Sequence, residues 1–303
     1  MSIINKIYTN QKLYILSLVV LFLISFAIPL FFAFTLGGLL NNFGPGSDSN
    51  SAQQSTQENE PQEKDSVFPD AIGISSPNTF ITVKSSPSLE PQEGKDFLIA
   101  VWVKLKKLPL VGESFVVFSK YDEKSSARKG YSFSLTKEQE SLRPSLYWKD
   151  NSNGTWFTFS EVNLEPKHWT LFVITFRDDK YLGLHVATLP DAQAENSQAA
   201  IKLLGGHELS NKILPQNKAD LLIGSFNGGK FRGKIGPLGI FSSKSLTENL
   251  NNILTSLIES PREVPEQFEE SDVGLWIPDD RSDQSANQNV ITLPKAKRNA
   301  ERE

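Results

Sequence analysis

Between Thr79 and Ala187 the apolar residues recur with a period of two, and this alternation restricts the fold more than anything else in the chain. "TFITV" (79–83), "FLIAVWV" (97–103), "SFVVF" (114–118) and "YSFSL" (131–135) come first. "SLYW" (145–148), "TWFTF" (155–159), "WTLFVITF" (169–176) and "YLGLHVA" (181–187) follow. Aromatic and β-branched side chains dominate these runs, and turn-rich segments separate them. No helical period interrupts before Ser245. Short strands at this spacing predict an all-β protein, either a two-sheet antiparallel sandwich or a barrel.

"LLIGSFNGGKFRGKIGPLGIF" (221–241) sets two apolar runs around a glycine-rich centre. A phosphate loop would need a Lys-Ser/Thr pair and a helix behind its last glycine. Here Lys234 leads into Ile235 and a strand. The glycines therefore read as strand punctuation: Gly224 ends a strand, Gly228 and Gly229 turn, and Gly233 lies close to a neighbouring backbone. The one good helix begins at Ser245. Ser245 and Glu248 have capping-box spacing, Leu246, Leu250, Ile253, Leu254, Leu257 and Ile258 form one stripe, and Pro261 stops it. Such a stripe packs on the edge of the sandwich or takes a partner.

Four stretches, in order, resemble the laminin-G-like, concanavalin A-like lectin and glucanase jelly roll. They are "NTFITVKSSPSLEPQEGKDFLIAVWVKL", "GESFVVFSKYD", "LEPKHWTLFVITFRDDKYLGLHV" and "LLIGSFNGGKFRGKIGPLGIFSSKSLTENLNNIL". The resemblance implies a jelly-roll sandwich over 67–260 with one short C-terminal helix. The chain has Gly236-Pro237 where the family often has an acidic pair, so any role of that pair is in doubt. "VGLWIPDDRSDQSANQNVITLP" (273–294) is similar to the segment that usually opens such a domain. Three readings stay open for this part of the extension 261–303. It is an extra strand near 273–278 pairing close to Phe80, the degenerate start of a second repeat, or a disordered tail. "LPKAKRNAERE" reads as a tail in every case.

Leu13 to Leu40 carries no charge. As a helix it would span roughly 40 Å, more than a bilayer core requires. It lacks the short apolar run and small-residue cleavage site of a secretory signal. It reads as a transmembrane signal anchor with a kink at Pro29. Lys6 and Lys12 precede it, which places residues 1–12 in the cytoplasm and the globular domain outside. Residues 41–66 are polar and poor in apolar side chains, a flexible linker with a reach of about 28 Å. A net charge of −4 with no basic cluster argues against nucleic acid. The absence of cysteine excludes disulfides and thiolate chemistry.

Glucanases of the resembled fold carry an E-x-D-x-x-E strand, because hydrolysis needs an acid and a nucleophile about 5 Å apart. This chain has no such motif. The nearest, Glu138-Gln139-Glu140, reads as a solvated hairpin turn. His168 precedes a strand, His185 alternates within one and His207 lies in a glycine-rich loop. Their spacing supports neither a triad nor a metal site. The reading is a non-enzyme with no cofactor. Calcium wants six to eight converging oxygens. "KDNSNG" (149–154) and "RDD" (177–179) offer oxygens but fit ordinary turns better. "NGT" (153–155) is formally a glycosylation sequon.

The hairpin "SLYWKDNSNGTWFTF" supplies the candidate site. Pairing about residues 150–153 sets Leu146 opposite Phe157 and Trp148 opposite Thr155 on the core face. Tyr147 then lies opposite Trp156 on the polar face, beside Lys149. Paired aromatics there suit a sugar ring or a protein partner, and equally suit plain stiffening of the hairpin. Tyr147, Trp156 and Lys149 are the expected ligand residues. The functional reading is a single-pass protein of the cell membrane that presents its domain at the cell surface for carbohydrate or protein recognition. The alternative is an architectural subunit of an envelope complex, for which Ser17, Ser25, Thr35 and Gly37-Gly38 in the membrane run are the only helix–helix handles. Protease added to intact cells or spheroplasts should remove the globular domain. Protection until lysis would reverse the orientation.

Overall fold

The computed structural model describes residues 67–74, 80–122, 129–149, 154–178, 180–189, 201–209, 214–226, 229–244, 246–278 and 282–293. The expected cytoplasmic segment, membrane run and linker (1–66) and the tail from 294 lie outside them. No helix among the described residues is long and apolar enough to cross a membrane.

Alternation becomes two antiparallel sheets. Sheet A contains β1 (Ile72–Ile74), β3 (Asp96–Leu105), β8 (Trp169–Arg177), β9 (Tyr181–Thr188), β10 (Lys202–Glu208), β14 (Gly233–Ser243) and β15 (Val273–Ile277). Its order is β1-β14-β3-β8-β9-β10, with β15 also on β14. Sheet B runs β16 (Ile291–Thr292), β2 (Ile81–Val83), β11 (Leu221–Ile223), β4 (Ser114–Tyr121), β5 (Gly130–Glu138), β6 (Ser141–Lys149) and β7 (Gly154–Thr158). A small hairpin, β12 (Ser225–Phe226) with β13 (Gly229–Lys230), follows β11.

The inner faces meet in one core, with Phe97, Ile99, Val101, Phe172 and Ile174 from sheet A and Phe115, Phe118, Tyr131, Phe133 and Leu146 from sheet B. The other face of sheet A is buried too. α1 (Leu246–Glu259) lays Leu246, Leu250, Ile253, Leu254 and Leu257 on Leu98, Ala100, Leu171 and Val173. The stripe therefore covers a sheet face, where the sequence had offered an edge or a partner. At about 1.5–3 kcal/mol per fully buried side chain, this second core rivals the first per residue. Ser245 is outside the described residues, and the helix start is held by another group. Asp96 Oδ2 accepts from Thr247 N (3.3 Å) and Thr247 Oγ1 (3.0 Å), while Asp96 Oδ1 accepts from Asp178 N (2.9 Å). A carboxylate there also complements the helix dipole.

The glycine-rich stretch behaves as a bend. Gly224 adopts φ +87. A Cβ on Gly233 would lie 2.1 Å from the Lys104 carbonyl oxygen. Gly236-Pro237 occupies a bulge in β14 between Ile235 and Leu238, where a proline costs no ladder bond. The bulge divides the strand's outer edge. Residues 233–235 pair with β1 and residues 238–241 with β15.

Residues beyond 260 complete both sheets. β15 adds to sheet A, and β16 pairs with β2 through Ile291–Val83 and Thr292–Thr82, close to Phe80. Asp283 fixes the crossing between them by accepting from Trp276 N, Ser285 N, Ser285 Oγ, Asn289 N and Asn289 Nδ2 at 2.7–3.0 Å. Asn289 Nδ2 also donates to Gly274 O at 2.8 Å.

One lysine is inside the sandwich. A bulge in β4 between Val116 and Phe118 turns Lys120 inward, opposite Tyr131, and it is fully buried. Its ammonium is ion-paired with Glu90. It also donates to Ala219 O (2.9 Å), Asn217 O (3.1 Å), Asn217 Oδ1 (3.3 Å) and Ser85 Oγ (3.4 Å). A buried charge needs this much compensation.

His185, on β9, is held neutral. Burial, and then the Arg177 charge, lower its pKa to about 4. As pH falls below 6.5 the unfolded chain takes up a proton that the folded chain refuses. Stability therefore drops between pH 6.5 and 4, by about 1–2 kcal/mol after allowance for solvent screening. Urea unfolding at pH 7 and pH 4.5 should show a smaller pH-dependent loss for His185→Gln than for the parent. Equal losses would remove His185 as the cause.

Candidate functional site

Neither apolar cluster includes a residue from the outer face of sheet B. On that face the register aligns side chains in rows across the strands. One row runs Leu222, Ser119, Ser132, Tyr147, Trp156. The next runs Val116, Ser134, Ser145, Thr158, and a third Ser114, Thr136, Arg143.

The hairpin of β6 and β7 has Leu146 opposite Phe157, Tyr147 opposite Trp156 and Trp148 opposite Thr155. Leu146 and Trp148 are buried, and Trp148 stacks on Phe176 at 5.2 Å. On the outer face the Tyr147 and Trp156 ring centroids are 4.8 Å apart and tilted by 47°. Trp156 is 56% exposed, whereas Tyr147 is half-buried. Tyr121, from the end of β4, meets Tyr147 edge-on at 5.4 Å. Lys149 follows on β6, opposite Gly154 and Gly130. Residues 150–153 and Asp179, which carry most of the oxygens weighed for calcium, lie outside the described residues. Among the described residues no cluster of His, Asp and Glu could hold a metal.

Beside the aromatics lies a row of hydroxyls. Ser119, Ser132, Ser134 and Ser145 are buried. Ser132 Oγ donates to Phe118 O at 3.2 Å, and Ser114 and Thr136 share a 2.7 Å hydrogen bond. Ser119 Oγ has no hydrogen-bond partner, an uncompensated polar atom of the kind that invites explanation. At the far end, Arg143 grips Glu138 (Nε–Oε2 2.8 Å) and Glu161 (2.7 Å). Glu161 also accepts from Ser141 Oγ at 2.5 Å. The hydrogen bonds from Ser141 and then Arg143 hold its carboxyl below the usual range. Glu138 ends β5, and Gln139, at φ 51, makes the turn that the sequence suggested for it.

The histidines make contacts of their own away from the Tyr147–Trp156 pair. His168 Nδ1 lies 3.1 Å from Glu165 Oε2. His207 lies within β10, not in a loop: "KLLGGHE" keeps an extended backbone despite its glycines, through a bulge between Leu203 and Gly205. Its Nε2 meets Thr158 O at 3.0 Å, and its ring packs on Phe157 and Phe159. Sequence reasoning missed Tyr121, the serine row and the Arg143 network. Arg143 and Glu161 are 18 residues apart, with no local signal to join them.

No family model matches the chain. No curated protein matches it either. Among solved structures it is similar to tailspike protein 2 from an Escherichia coli O157:H7 bacteriophage, with 12% identity and a TM-score of 0.47. That match covers 70% of this chain and 29% of the tailspike. It is also similar to mouse laminin α1 domains LG4-5, with 9% identity and a TM-score of 0.38 over 56% of this chain and 40% of that one. A third is the Ruminococcus gnavus IT-sialidase carbohydrate-binding module bound to α2,6 sialyllactose. Its figures are 8% identity and a TM-score of 0.39, over 57% of this chain and 89% of the module. The chain spans less than a third of the tailspike's length.

Proposed function

We propose that this chain is a membrane-anchored recognition protein whose laminin-G-like jelly-roll sandwich binds a glycan, without catalysis, on the outer face of sheet B outside the cytoplasm. The observation that carries the reading is Trp156, 56% exposed and braced against Tyr147. An indole face takes the apolar C–H face of a sugar ring, and the exposed Thr158 on the same face offers a hydroxyl donor and acceptor. Lys149 adds a cation at the rim, suited to an acidic sugar. Glu138 and Glu161 are both committed to Arg143, so neither serves as acid or nucleophile in this arrangement.

Affinity electrophoresis against polysaccharides from the source cell's own envelope tests the reading. The purified protein should be retarded without releasing reducing sugar. Trp156→Ala should weaken retention about five-fold, roughly 1 kcal/mol, with the fold intact because the ring is mostly in water. No retardation, or equal retardation of the variant, would overturn the assignment.

A further inference from the structure

Lys120, Glu90 and Asn217 stand together in a way that a structural ion pair does not need. We propose that they form an intramolecular isopeptide bond, in which Lys120 Nζ displaces ammonia from the Asn217 side-chain amide with Glu90 as the proton carrier.

Three features support this reading. The first is approach. Lys120 Nζ donates to Asn217 Oδ1 at 3.3 Å, which holds the amine beside the amide whose carbon it would attack. The second is activation of the amide. The Ala219 backbone N–H donates to Asn217 Oδ1 at 2.7 Å, where negative charge would develop on attack. Asn217 Nδ2 donates to Lys120 O (3.1 Å) and Pro215 O (3.3 Å). These partners fix which end of the amide is oxygen and turn the leaving nitrogen away from the acceptor. The third is the proton carrier. Glu90 is ion-paired with Lys120 and closed off from solvent. Burial raises its pKa against the opposing pull of Lys120 and the Asn217 backbone amide.

The surroundings are dry and rigid. Tyr131 pairs with Lys120 across the sheet and donates to Leu89 O at 2.9 Å. Phe97 and Phe118 pack edge-on against its ring. The Asn217 loop is anchored at Asp220, which accepts from Lys84 Nζ and Ser85 N at 2.9 Å.

The steps balance. Lys120 passes one proton to Glu90, and the ion pair becomes amine and carboxylic acid. The amine attacks Asn217 Cγ, and the Nζ–Cγ bond forms. The second proton on the attacking nitrogen is relayed through the Glu90 carboxyl to Nδ2. The Cγ–Nδ2 bond breaks and ammonia leaves. Nothing is oxidised or reduced. Glu90 ends as a neutral acid beside a neutral amide, so two buried charges are removed. The product joins residues 97 apart in sequence in a chain that has no cysteine to do so.

Intact-mass and peptide mass spectrometry of the purified full chain decide the matter. The parent protein should weigh about 17 Da less than its sequence, one ammonia. Its digest should contain a branched peptide joining Lys120 to Asn217. Asn217→Ala should have its full sequence mass and no branched peptide, with an unchanged far-UV spectrum. Glu90→Gln should do the same. A branched peptide that persists in Glu90→Gln would overturn the role given to Glu90. A folded parent protein at full sequence mass, with no branched peptide, would overturn the proposal, and Lys120–Glu90 would be an ion pair only. Glycan retention is a separate measurement, so failure of either reading leaves the other standing.

Discussion

Sheet A must be dry on both faces, and the rest of the architecture follows from that demand. β3 reads "DFLIAVWVKL", apolar almost throughout. β8 reads "WTLFVITFR". One set of alternate residues meets sheet B, and the other has to be covered by something else. The cover is α1, together with Phe68, Phe268 and Trp276. Sheet B carries no such second set. Its outer residues are Ser119, Ser132, Ser134 and Ser145, with Tyr147 and Trp156 at one edge. The division between a sheet that is apolar on both faces and one that is apolar on a single face is thus written in composition.

How far the sequence discloses the fold depends on whether alternation is continuous. In β6 and β7 it is. Leu146, Trp148, Phe157 and Phe159 define the core side, and the opposition of Tyr147 and Trp156 follows by counting. In β4 it is broken. Counting from Phe115 places Val117, Ser119 and Tyr121 inward and Lys120 outward. The bulge between Val116 and Phe118 reverses this, because one extra residue shifts every later side chain to the other face. Nothing in "SFVVFSKY" announces the bulge. It is stabilised by a partner far along the chain, Gly224, whose N–H donates to Val117 O at 2.8 Å. The same break hid both Tyr121 on the outside and Lys120 on the inside.

Glycine and proline were legible for a different reason. Their constraints are local, so Gly224 and Gly233 could be given roles before any partner was known, whereas the bulge at Gly236-Pro237 shows only in the strand pairing. The partners of the short edge strands could not be assigned in this way: the sequence offers a strand near 273–278 as one of three readings and pairs it close to Phe80, whereas β15 pairs with β14. β1, β15 and β16 gain their hydrogen bonds only from strands distant in sequence, and β15 in particular finds room because the Gly236-Pro237 bulge ends the pairing of β1 after three residues. The tight fit is completed at Gly274, where a Cβ would lie 2.0 Å from Ser88 O.

Lys120 and Tyr121 are neighbours on β4 and point to opposite faces. Lys120 ties the end of that strand to the 85–90 segment and to the 217–219 loop from within. Tyr121 braces Tyr147 from without, and Tyr147 in turn braces Trp156. A strand end in a β-sheet normally frays, because its last residues have few partners. Here the inward lysine suppresses that freedom one residue away from the first ring of the aromatic row. Preorganising an exposed indole lowers the entropy lost when a ligand orders it. The internal knot is therefore more than a means of satisfying a buried charge. It sets the rigidity of the rim at which the proposed ligand is met.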